Sequence, residues 1–417
     1  MNRCYLAVAM SFLASPLSAQ EFGFDIGAFE KKPFEWSGYV ELRPELLDLN
    51  TDAALYPTQY PEGKTHETRI NGALELRGDY RSGDNRLSTT WHGTGMDDSR
   101  ESRSEGRLYE AYFNRKENAN LSWEAGKRAL KWGKGYAWNP VGFIERAKDP
   151  ADPELGREGF VVASADWVRS GSGELRTVSF TPVLLPVREE LNDDYGSEEA
   201  NNLAAKLSLL YRDVDIDFMV LGNGSRPGRV GADFSLNLAS HIEVHGEWAY
   251  VPDYAKRTIS ATGSTVTEEA SHSYLLGLRY LTENDATWIV EYLHQDQGYS
   301  EAEVADFFSL LENSAQADRL AAAGQQAGYL RPTPMRDYLY LRVSGKDPFD
   351  WLYTSLAFTA IVNFNDHSAM LMPEFSWTSA DDFELRLRYS ALTGDTYSEF
   401  GEKLNAQRFE LRLRYFF

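Results

Sequence analysis

The stretch at 407–417 reads QRFELRLRYFF. In an extended strand, side chains point alternately to opposite faces. Phe409, Leu411, Leu413, Tyr415 and Phe417 therefore share one side, and Arg408, Glu410, Arg412 and Arg414 share the other. One side carries only bulky apolar groups, and the other carries a charge at each alternate position from 408 to 414. Such a strand is made to stand between an apolar medium and water.

The same alternation runs back through the chain. In 68–81, Ile70, Leu74, Leu76 and Tyr80 oppose Arg69, Glu75, Arg77, Asp79 and Arg81, and Ser82-Gly83-Asp84-Asn85 supplies turn chemistry. From Trp36 onward the chain divides into eighteen such segments, and one hairpin fewer would make sixteen. Their connectors alternate between short turns and long polar loops, with 94–106 and 251–271 expected among the loops. That two-sided arrangement predicts an all-β fold, a transmembrane antiparallel β-barrel with short periplasmic turns and long outer loops. A barrel of this size encloses an aqueous lumen.

The front of the chain fits that destination. Residues 1–19 read as a secretory signal, with Arg3, an apolar run over 5–14, and cleavage near Ala19. The sole cysteine, Cys4, lies inside it, so the mature chain is expected to hold no disulfide, thiol nucleophile or Cys-bound metal. Residues 20–35 form a short periplasmic lead, and 36–417 the barrel. No later run approaches the roughly 18 apolar residues of a membrane helix. The 23 Tyr, 22 Phe and 10 Trp suit aromatic girdles, and a net charge of −21 argues against nucleic acid as a partner. A strand ending in Phe417 resembles the closing strand of Gram-negative outer-membrane barrels. That resemblance implies the outer membrane as location, its lipid and lipopolysaccharide as surroundings, and the barrel assembly machinery as a partner.

Closure would bring both ends of the chain together and gather arginines on one lumenal wall. Arg43, Arg69, Arg77, Arg386, Arg388, Arg412 and Arg414 are the expected pore-lining residues, with Arg279 and Arg342 further round. A basic stripe in a confined lumen raises the local concentration of anions. Inward arginines also brace barrels through ladders with Glu, and that reading stands beside the first. His241, Glu243 and His245 are expected to alternate inward on one strand as lumen lining, and no metal ligand set, cofactor site or catalytic set is assigned.

The connector 131–158 is unusual for a loop, because Trp132, Tyr136, Trp138 and Phe143 are too apolar to stand free in water. It is expected to fold inward and narrow the pore, with Trp132, Lys134, Tyr136, Trp138, Asn139, Arg146 and Lys148 as constriction residues. Through Trp132-Gly133, Gly135 and Asn139-Pro140 it resembles the third-loop region of porin-like channels of the alginate-export group. That likeness implies passage of an anionic or polar solute or polymer. The long connector 297–334 is expected to be an outer loop containing a helix over 301–326.

The resulting expectation is a non-enzymatic outer-membrane channel for polar, anionic solutes through an Arg-lined, loop-constricted pore. The alternatives are a barrel of an export system binding a polymeric or hydrophobic ligand, and an outer-membrane hydrolase.

Overall fold

The computed structural model describes residues 33–379 and 382–417. The expected signal at 1–19, and all of the lead at 20–35 except its last three residues, lie outside the described residues. The alternating segments become β1 (Phe34–Leu49), β2 (His66–Ser82), β3 (Asn85–Asp97), β4 (Ser102–Lys116), β5 (Leu121–Arg128) and β6 (Phe160–Ser170). Then follow β7 (Leu175–Val187), β8 (Ala200–Tyr211), β9 (Val214–Leu221), β10 (Arg229–Ala239), β11 (Ile242–Ser260) and β12 (Gly263–Leu281). The chain ends with β13 (Ala286–Gln295), β14 (Asp337–Lys346), β15 (Thr354–Asn363), β16 (Ala369–Thr378), β17 (Phe383–Thr393) and β18 (Asn405–Phe416).

Each strand pairs antiparallel with the next. β18 returns to β1, with Tyr39 opposite Phe416 and Leu46 opposite Phe409. This closes an eighteen-stranded barrel and leaves no free edge, which a membrane requires because lipid offers no partner for open backbone groups. Outward side chains such as Val40, Leu42, Leu46, Leu276, Leu278, Phe409 and Tyr415 are exposed. Inward groups such as Glu41, Glu75, Glu247, Glu291, Arg388 and Arg412 are buried. A closed sheet with an apolar exterior and a charged interior spans a bilayer as outer-membrane barrels do. Among the described residues no helix is long and apolar enough to cross a membrane.

Two stretches expected as loops are strand. The span 94–106 shrinks to a connector over 98–101, and 251–271 becomes a hairpin extending β11 and β12. Pro252 interrupts that ladder at a bulge, but pairing resumes at Tyr254 opposite Glu269. The extension supports the 297–334 loop, which holds two helices in place of one. After α1 (Tyr56–Gln59) in the first outer loop come α2 (Glu301–Glu312) and α3 (Ala317–Ala327). A capping box of Ser300 and Glu303 opens α2, and Asn313 closes it. Phe307 then lies against Gly324, where a Cβ would come within 2.3 Å of the ring. Lys256 of β11 meets Glu303 at 2.9 Å, so the pair is tied to the strand beneath it.

Candidate functional site: an inward loop and the passage beside it

The loop between β5 and β6 turns into the lumen, and wall carboxylates hold its backbone there. Glu247 of β11 accepts hydrogen bonds from the amides of Lys134 (2.7 Å), Gly135 (2.6 Å) and Val141 (3.2 Å). Glu291 of β13 accepts from the amides of Tyr136 and Ala137 and is bonded to His245 Nε2 at 2.8 Å. A buried loop would otherwise strand these N–H groups without partners. Gly133 makes the grip possible: its φ is +92°, and a Cβ there would meet a Glu247 carboxylate oxygen at 2.6 Å.

Apolar packing does the rest. Ala137 and Trp138 are buried with Leu275, Ile289, Tyr338 and Tyr340. Trp132, Val141, Phe143 and Ile144 are buried with Phe160, Val183, Leu185 and Met219. At the far end of the loop, Asp152 reaches Arg412 at 2.9 Å and Arg388 at 3.6 Å. Burial alone would push the Asp152 carboxyl up, but the two guanidiniums together hold it below the usual carboxylate range. Burial pulls the Lys148 ammonium below its ordinary value, and it donates to the carbonyls of Gly135 and Tyr136.

The expected constriction residues thus face mainly toward the loop's own anchors. Trp132 and Trp138 are packed away from water, and Lys134 pairs with Asp217 at 3.3 Å. Tyr136 donates to Glu154 (2.8 Å), and Asn139 to Glu145 (3.1 Å). Arg146 pairs with Asp194 and lies 3.7 Å from Glu158. The parts of the loop that border the lumenal space beside it are 131–132 and 155–157.

There two polar-lined spaces flank the loop. One, of about 430 Å³, lies on the long-loop side and includes Arg43, Arg69, His92 and Arg103. The other, of about 800 Å³, lies toward the short turns and includes Arg77, Asp79, Arg86 and Lys206. They share Glu75, Tyr109 and Gly156. Tyr109 is the extra residue of a bulge: Thr90 faces Glu110 and Trp91 faces Leu108, leaving it unpaired. The bulge turns its ring into the lumen, where it stacks on His92 at 4.6 Å, and its carbonyl accepts from the Gly159 amide at 2.9 Å. His92 in turn lies 3.4 Å from the Tyr39 hydroxyl.

All nine arginines expected to line the pore have a carboxylate within 4.0 Å. Arg43 pairs with Glu45 (3.4 Å), Arg69 with Asp98 (3.1 Å), Arg77 with Glu75 (2.5 Å) and Arg279 with Glu243 (3.7 Å). Arg342 and Arg388 share Glu374 (3.4 and 2.6 Å), and Arg386 takes Glu384 (2.9 Å). Arg412 joins Asp152 and Glu410 (3.1 Å), and Arg414 joins Glu41 (2.6 Å). All nine are ionically paired, some between strands, as Arg388–Glu374 and Arg414–Glu41, and some along one strand, as Arg43–Glu45 and Arg77–Glu75. Of the expected inward histidines, His245 is buried against Glu291, whereas His241 lies in the β10–β11 turn with its ring 5.9 Å from that of Tyr280. Among the described residues no group of His, Cys, Asp and Glu is arranged to hold a metal ion.

The residues that sequence reading did not single out are the grips, Glu247, Glu291 and Asp152, and the bulged Tyr109. Glu247 and Glu291 were visible only as acids on inward positions of their strands.

No protein-family model matches the chain, and no curated protein matches its sequence. Solved structures do match in shape. OccK5 (OpdH) of Pseudomonas aeruginosa aligns over 92% of this chain and 98% of its own, with 10% identity and a TM-score of 0.52. OccAB1 of Acinetobacter baumannii aligns over 92% and 96%, with 9% identity and a TM-score of 0.52. The likeness is one of fold, and the chain is a closed eighteen-stranded antiparallel barrel of the kind built by Gram-negative outer-membrane porins.

Proposed function

We propose that the barrel is a passive outer-membrane channel that admits small polar solutes, anions ahead of cations, along the β1–β4 wall. The observation that carries this reading is the pair of polar-lined spaces, one on each side of the inward loop, that share Glu75, Tyr109 and Gly156. Support for anion preference comes from the lining. The two spaces together present ten cationic side chains and seven carboxylates, in a protein whose net charge is −21. Among the described residues, Arg103 and Lys131 have no carboxylate within 4.0 Å, so their charge is not cancelled locally. In a narrow, low-dielectric passage an excess of that size biases which ion enters. The segment that resembles the alginate-export group, Trp132 to Pro140, is engaged in anchoring the loop, so it lends no weight to a polymeric ligand.

The test is single-channel recording of the refolded chain in a planar bilayer. Steady steps with a reversal potential on the anion side are expected under a salt gradient. A barrel that folds but carries no current would overturn the channel reading, and cation selectivity would overturn the anion preference.

A further inference from the structure

A separate cavity of about 400 Å³ lies where the inward loop meets two outer loops, 188–199 and 222–228, lined in part by Asn139, Glu145, Arg146, Phe160, Asp194 and Arg226. Two guanidiniums line it and a third, that of Arg229, stands near Arg226, each over an aromatic face. Arg146 lies 4.6 Å from the Phe160 ring, Arg226 lies 4.1 Å from the Tyr195 ring, and Arg229 lies 5.8 Å from the Phe143 ring. The rings are themselves joined. Phe160 packs edge-on against Tyr195 at 5.2 Å, and the Tyr195 hydroxyl donates to the Phe143 carbonyl at 3.0 Å.

The carboxylates at the site are already taken. Glu145 serves Arg157 at 2.9 Å and the Trp132 amide, and Asp194 serves Arg146. Among the described residues no carboxylate lies within 4.0 Å of Arg226 or Arg229. Their Nε groups donate only to backbone carbonyls, of Tyr195 and Pro227 respectively. The two cations repel each other, and both are partly withdrawn from water. Partial burial of two like charges with no carboxylate in contact is unfavourable, and Asp194 and the aromatic faces offset only part of that cost. The loop bearing Arg226 is nevertheless held in place. Ser225 exchanges hydrogen bonds with buried Asn202 (2.8 and 3.0 Å), and the Gly228 amide donates to Asn223 at 2.6 Å.

We propose that this cavity binds a small oxyanion, a carboxylate or phosphate group, on Arg226, backed by the charge of Arg229. The planar guanidinium fork matches either group in two parallel hydrogen bonds. Arg146 and its partner Asp194 form the competing rim, since a carboxylate there repels the incoming anion. The site lies apart from Glu75 and Tyr109, so it stands whether or not the barrel conducts.

The experiment is calorimetric titration of the folded full chain in detergent with inorganic phosphate, with heat-modifiable gel mobility as the fold control. Saturable binding is expected. Arg226→Gln should weaken it about tenfold and Arg229→Gln about threefold, because the first removes contact and the second only field. Asp194→Asn should tighten it about threefold, by freeing Arg146 and removing a repelling charge; a merely structural loop would not respond in that direction. Absence of saturable binding, or an unchanged constant in Arg226→Gln, overturns the proposal. Should Arg226→Gln fail to fold, the Asp194→Asn arm decides, and unchanged or weaker binding there overturns it. Repeating the titration with lipopolysaccharide in the micelle separates the sources. Retained phosphate binding assigns the site to solutes in the lumen, and loss of binding assigns it to a lipid phosphate.

Discussion

The wall of β9 to β14 and the wall of β1 to β4 are made from the same alternating strands, yet one is covered by the loop and the other is open to water. On the first, Glu247 and Glu291 spend their acceptor capacity on backbone amides of the loop, and Leu275, Tyr338 and Tyr340 pack on Trp138. On the second, Glu41, Glu75 and Asp98 are matched to Arg414, Arg77 and Arg69. The difference teaches that an inward charge can serve two purposes in one barrel. Where a loop supplies N–H groups, a carboxylate becomes an anchor. Where no loop amide lies opposite, charges neutralise one another, within a strand as in Glu75–Arg77 or between strands as in Glu41–Arg414.

The sharpest way to break the comparison is to remove an anchor. Glu247→Ala should strand three amides, at a cost on the order of 3 kcal/mol or more, and free the loop from its wall. A several-fold rise in single-channel conductance, with new protease cleavage over 131–158, is the expected outcome. Arg412→Ala attacks the other end of the loop. It leaves Asp152 and Glu410 without their shared partner, and losing one side of a buried pair costs about 3–5 kcal/mol. Conductance should rise there as well, measured in the same bilayer.

Changes on the open wall should alter passage without freeing the loop. Tyr109→Ala removes the bulged ring that lines both spaces, so conductance should increase by about twofold while the loop stays protease-resistant. For selectivity, the paired ladder and the unpaired cations make opposite forecasts. Arg103→Gln with Lys131→Gln should lower the anion-to-cation permeability ratio more than Arg386→Ala does, since Arg386 is already cancelled by Glu384 at 2.9 Å. Equal effects would return the selectivity to the ladder.

The smallest expected effect concerns the outer loop over 394–404. Burial lifts the Glu399 carboxyl from 4.5 to about 6, although the Tyr338 hydroxyl and Asn363 bond to it at 2.5 and 2.9 Å. A carboxyl whose folded value is raised favours the folded loop in its protonated form. Its contribution is full below pH 4.5 and is lost as pH rises through about 6. Hydrogen-exchange protection of 394–404, corrected for intrinsic rate, should therefore fall between pH 5 and 7, and Glu399→Gln should abolish the dependence.

Much of the barrel was legible because its signal is local. Phe409, Leu411 and Leu413 against Glu410 and Arg412 need only the two-residue period, and the short turns need only Gly, Asp, Asn and Ser. Elements that lean on distant partners were harder to see. The hairpin at 251–271 looked like a loop because Pro252 and a polar composition mask a ladder that only its partner strand reveals. The split between α2 and α3 depends on Gly324 meeting Phe307, a contact made across a turn.

By itself the sequence determined which face of each strand meets lipid, that the strands number eighteen or sixteen, and that the aromatic loop after β5 is ill suited to open water. Those follow from periodicity and composition, which neighbouring residues carry. Only the tertiary structure decided that Glu247 holds the loop while Glu243, four residues away on the same inward face, pairs with Arg279. It also decided that Asp152 reaches Arg412 and that Tyr109 lines both spaces. The physical reason is height within the barrel. Strand register and closure set the level at which each inward group sits, and that level selects whether it faces a loop amide, an opposite charge or water.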